Sequence, residues 1–119
     1  MIRKATILSA LVFVAACGKQ AVPTERLGRA EGAVRSAQET GAAQDPNGAL
    51  HLRLAQENLA RAKMAVSDGD NERASYLLMR SEADAQLAKS LNEESKAKQQ
   101  AAQAINQLNM VKTMPREGQ

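Results

Sequence analysis

His51 is the only histidine among the 119 residues and Cys17 the only cysteine. Metal sites built on paired imidazoles are closed to such a sequence, and so is histidine-clustered zinc. A serine or cysteine nucleophile would need His51 as its base, and no spacing positions one beside it. His51 reads instead as a half-exposed helix residue. Glu82 and Asp84 stand two apart in a helical run. Residues i and i+2 point to different faces there, so these carboxylates read as solvated and not as an acid–base pair. No glycine-rich phosphate loop is present. The sequence assigns no catalytic, metal or cofactor-binding residue, and it predicts a protein that is not an enzyme and takes no cofactor.

The chemistry that Cys17 does support is attachment. It follows Val14-Ala15-Ala16, which closes an apolar run from Ala5 that begins just after Arg3 and Lys4. A positive start, a short apolar stretch and small residues before a cut are the parts of a signal peptide, here residues 1–16. The run is too short to span a bilayer, which takes about 20 apolar residues. The Val-Ala-Ala-Cys order resembles the bacterial lipobox, whose cysteine is lipidated after cleavage. That resemblance implies diacylglyceryl on the Cys17 sulfur and an acyl group such as palmitate on its nitrogen. Two or more chains hold a protein firmly at a membrane, whereas one holds it marginally. With one cysteine no intramolecular disulfide can form. Gly18 stands where enteric bacteria use aspartate to retain lipoproteins at the inner membrane. The expected location is therefore the outer membrane, anchored by lipid and facing the periplasm.

Cleavage would remove two of the sixteen basic residues and none of the thirteen acidic ones, leaving a nearly neutral chain. Such a balance gives no electrostatic case for nucleic acid. Once Phe13 is removed, Tyr76 is the only aromatic residue, too little for base stacking.

The elements behind Cys17 follow from apolar spacing. Residues 17–23 form a short lipidated tether, which Pro23 ends by disfavouring helix at Val22, with Thr24 as an N-cap. Leu27, Ala30, Val34, Ala37 and Gly41 then recur at helical spacing, as do Leu52, Ala55, Leu59, Ala62 and Val66. Asp45-Pro46-Asn47-Gly48 separates the two runs, with Asp45 capping and Pro46 opening the second helix. Gly69 supplies a left-handed stop, and Asp70 caps a third helix bearing Ala74, Leu77, Leu78, Ser81, Ala85, Ala88 and Leu91. Short loops between such helices predict an all-α fold, an antiparallel three-helix bundle over residues 24–92. Nineteen alanines follow Cys17, so its core gains less per residue than one rich in leucine.

The third helix is expected to overrun its partners as a helical extension and tail over residues 93–119. A polar run, Asn92 to Gln100, precedes Ala101, Ala104, Ile105, Leu108 and Val111. This second stripe is turned by nearly half a turn from the first at about 100° per residue, so one straight helix cannot bury both. Either the helix bends or the distal part meets something else. Ala101, Ile105, Leu108 and Val111 are the expected contact residues, covered by a second copy, by another envelope protein, or by folding back on Leu50 and Leu54. Gly28 and Gly32 are spaced as in a close helix crossing. They fall on the polar side, where they read as tolerated glycines.

Ala30-Glu31-Gly32-Ala33, Leu59-Ala60-Arg61-Ala62-Lys63 and Gly69-Asp70-Asn71-Glu72-Arg73-Ala74 resemble the bacterial lipoprotein family named domain of unknown function 4398. The resemblance implies a helical, periplasm-facing lipoprotein without a known activity. Some relatives carry a fused OmpA-like peptidoglycan-binding domain; this sequence has none, so wall binding is not carried over. The turn also looks like one tetratricopeptide unit, too few for a solenoid. The expected function is a non-enzymatic structural or adaptor module of the envelope, with the membrane as one partner and a homo-oligomer or envelope protein as the other. The alternative is a carrier of small ligands or peptides in a cleft between helices, for which alanine-dense stripes leave little room.

Overall fold

The computed structural model describes residues 21–113. The signal segment 1–16, Cys17 and the tail from residue 114 lie outside the described residues, and of the tether only Ala21 to Pro23 lie within them. Three helices form an all-α bundle: α1 (Thr24–Glu39), α2 (Pro46–Ser67) and α3 (Asn71–Thr113), with one tight turn of 3-10 helix at Ala42–Gln44. The order is up-down-up, and α3 is twice as long as its partners need.

Local chemistry sets the ends. Asp45 Oδ1 accepts from the Gly48 N–H at 2.8 Å, and Pro46 opens α2, where a missing N–H costs nothing. At the other end the Asp70 N–H donates to Ala65 O at 2.9 Å and the Gly69 N–H to Val66 O at 3.1 Å. Gly69 takes φ +77°, which closes the helix in a Schellman motif. Asp70 Oδ1 then accepts from the Arg73 N–H at 3.1 Å and caps α3. Two ends differ from expectation. Thr24 is the first helical residue and no side chain caps α1. That helix also stops at Glu39, before Gly41, whose φ of +81° turns the chain.

The core has two sections. Ala30, Ala62, Ala65, Ala74, Leu77 and Leu78 pack at the α2–α3 turn. Val34, Ala37, Ala42, Leu52, Ala55, Ala85 and Ala88 pack at the opposite end. Leu59 bridges the two sections. Among the described residues, nine of the thirteen buried hydrophobic side chains are alanine, so helix axes approach closely and little room remains between them. Ser81 Oγ, fully buried, donates to Ala55 O at 2.8 Å and ties α3 to α2.

Close packing makes one substitution informative. Ala62 is 0% exposed, whereas the Lys63 side chain is 52% exposed and reaches Glu31 at 2.7 Å. Ala62→Leu is expected to destabilise by about 1–3 kcal/mol through overpacking. Lys63→Leu gives up one exposed ion pair and should cost less than about 1 kcal/mol. Thermal melts in the reverse order would place the wrong face of α2 in the core.

The bundle does not end at Ala88. Asn92, 2% exposed, donates from Nδ2 to Thr40 O at 2.7 Å, and Lys96 Nζ donates to the same carbonyl at 2.6 Å. Two side chains of α3 thus satisfy the free carbonyl end of α1, with the cation on the negative end of its dipole. Beyond Lys96 every described residue is exposed.

Candidate functional site

Residues 97–113 continue α3 as one uninterrupted helix, every residue of it exposed, reaching about 25 Å at 1.5 Å per residue. The helix is continuous and does not fold back on Leu50 and Leu54. Of those two, Leu50 is exposed and Leu54 half-buried. The segment stays helical because alanine, glutamine and lysine favour it. Glu94 also pairs with Lys98 at 2.6 Å in the favourable i,i+4 order. That hydrogen bond to the carboxylate raises the Lys98 pKa above its ordinary value.

The expected contact residues are brought together. Ala101, Ile105, Leu108 and Val111 share one side of the extension, and all four are exposed, the last three by 58–67%. Ala101, Ile105 and Leu108 lie nearly half a turn from the core side marked by Leu78, Ala85 and Asn92, and Val111 lies about a quarter turn from it. The same outer side bears Tyr76, Met79 and Leu87 along the bundle, all exposed, which periodicity alone did not single out because Arg80, Ser90 and Glu94 interrupt them. Arg80 lies over the Tyr76 ring at 5.9 Å, a cation–π contact.

Away from the stripe, a polar layer joins α2 to α3. His51 Nδ1 lies 3.2 Å from Asp84 Oδ1, and Asn58 Nδ2 donates to Asp84 Oδ2 at 3.2 Å. The Asp84 side chain is 19% exposed, so it is not the solvated carboxylate that its spacing from Glu82 suggested. Glu82 turns to the other shoulder of α3, its Oε2 3.9 Å from Arg29 Nε of α1. No group of three or more His, Cys, Asp and Glu side chains converges on a metal-sized site among the described residues. Gly28 and Gly32 meet nothing within 4 Å and are solvent-facing, as read from the sequence.

A cleft of about 440 Å³ lies at the tether end, lined by Ala21, Pro23, Glu25, Arg26, Arg29 and Ser75. It is an open, polar surface feature beside α1 and not a space between the alanine stripes. Among the described residues no helix is long and apolar enough to cross a membrane.

The model of the family described as Domain of unknown function (DUF4398) matches residues 25–104. The chain belongs to that family. The match covers all three helices up to Ala104, so Ile105, Leu108 and Val111 lie beyond it. No curated protein and no solved structure matches the chain.

Proposed function

We propose that this DUF4398 protein is a non-enzymatic envelope lipoprotein, held through Cys17 at the periplasmic face of the outer membrane and acting as a structural or adaptor module. The observation that carries this reading is the placement of the two ends. The tether enters beside Ser75, at the start of α3. The exposed stripe at Ala101, Ile105, Leu108 and Val111 sits at the other end of the same helix. The stripe is thus held tens of ångströms from the tether by a rigid rod, at about 1.5 Å per residue of helix. A spacer of this kind needs no pocket and no catalytic group. The carrier alternative draws less support, because the cleft at the tether end is a shallow polar surface feature and not a space between the helices.

The lipid anchor has a direct test. Cys17→Ala is expected to abolish labelling by a fatty-acid analogue and to release the protein from sedimented membranes, since no second acyl site would hold it. Labelling that persists in the variant ends the lipoprotein reading.

A further inference from the structure

Ala101, Ile105 and Leu108 of the exposed stripe belong to a longer band, and Val111 lies to one side of it. Tyr76, Met79, Ala83 and Leu87, then Ala97, Ala101, Ile105 and Leu108, are all exposed. At about 100° per residue these eight fall within an arc of about 80° on the outer side of α3. Neither neighbour obstructs that side. Glu82 marks the shoulder facing α1 and Asp84 the shoulder facing α2; the band lies on the third side.

We propose that the band is the interface with a second copy of the chain, paired antiparallel about a two-fold axis at Asn92. This names the partner of the contact surface proposed above, and it rests on that reading of the extension but not on the lipid anchor. Asn92 is the midpoint of α3. Each residue before it therefore meets the residue equally far after it on the partner, as an isologous interface requires. Tyr76 then meets Leu108, Met79 meets Ile105, Ala83 meets Ala101 and Leu87 meets Ala97. Every apolar member of the band falls opposite another, and the extension of each copy covers the outer face of the other copy's bundle.

Charge selects the direction. A parallel pair in register would set Arg80 against Arg80 and Glu94 against Glu94, like charges within the seam. The antiparallel pair sets Arg80 against Ala104 and Glu94 against Ser90. Size is adequate as well. Full overlap of two helices about 64 Å long and 10–12 Å wide covers about 700 Å² per chain, close to the roughly 800 Å² that a specific interface buries on each side. The two tethers leave from opposite ends of such a pair, so an anchored dimer lies along the membrane.

The test uses the full chain carrying Cys17→Ser, purified in detergent, so that introduced cysteines are the only thiols. Tyr76→Cys and Leu108→Cys are made separately; both sites are exposed, and circular dichroism checks that the helices persist. Oxidising the mixture is expected to link one variant to the other, while each alone yields little product. In sedimentation the parent should be a dimer, and Leu108→Glu should raise its dissociation constant about tenfold or more. Linkage of each variant to itself with no mixed product would mean parallel pairing and overturn the proposal. A monomer at every concentration would overturn it too, while leaving open capture of a different envelope protein by the stripe. The adaptor reading fails separately, if removing the extension changes no contact of the protein in intact envelopes.

Discussion

Replacing Gly48 with alanine is expected to lower the stability of the bundle by about 1–3 kcal/mol, the cost of forcing a methyl group into a packed site. Gly48 sits in the first turn of α2, where its N–H is held by Asp45. A Cβ built there would lie 2.6 Å from the Ala42 carbonyl oxygen and 3.2 Å from that of Ala88. Both obstacles are backbone, one in the turn before α2 and one in the middle of α3. Neither can rotate away as a side chain would, so α2 must shift as a body at the point where all three helices converge. For a domain of this size each kcal/mol moves the Tm by about 4–8 °C. Gly28→Ala and Gly32→Ala provide the contrast. Nothing lies within 4 Å of either added methyl, and alanine is favoured over glycine inside a helix by about 1 kcal/mol. Those two variants should melt above the parent and Gly48→Ala well below it. If Gly48→Ala melts with the parent, the close approach of α2 to Ala42 and Ala88 is wrong.

The helices and their inner faces were legible because alanine and leucine recur at three and four, a period that only one secondary structure satisfies. Ala30, Val34 and Ala37 on α1, and Ala74, Leu77, Leu78, Ser81, Ala85 and Ala88 on α3, are buried as that period demands. What escaped were contacts whose partners are remote in sequence. Asp84 looks like a solvated carboxylate until α2 and α3 are laid side by side and Asn58, 26 residues earlier in the chain, donates to it. Asn92 and Lys96 read only as members of a polar run along the third helix, yet they close the end of α1 through Thr40, more than fifty residues earlier. Gly48 left no trace in a periodic pattern, because what matters there is a side chain that is missing. The exposed stripe was legible as a phase change after Gln100. That it continues along the outer side of the bundle was not, since Arg80 and Glu94 break its apolar sequence.

Deleting residues 97–119 is expected to leave the bundle intact while removing all of its self-association. Among the described residues, none after Lys96 is buried and none donates to α1 or α2. The deletion therefore removes no core area and creates no cavity. At dilutions where the parent is monomeric, the two chains should melt within about 2 °C of each other, a difference well under 1 kcal/mol on the same scale. At higher concentration they should part. A folded dimer gains stability by mass action, so the Tm of the parent climbs with concentration. The deleted chain, without Ala97, Ala101, Ile105 and Leu108, should stay flat. Concentration-dependent melts with sedimentation of both chains supply the comparison. A collapse of the shortened chain at high dilution would place the extension in the core, despite its exposure. Parallel curves for both chains at all concentrations would show that the extension covers nothing. A free helix of some seventeen residues is marginal in water, and Ile105, Leu108 and Val111 would then gain nothing by standing on it. The climb of the parent alone is the result that ties an exposed apolar stripe to a physical purpose, because burial against a partner is the one way those side chains leave water.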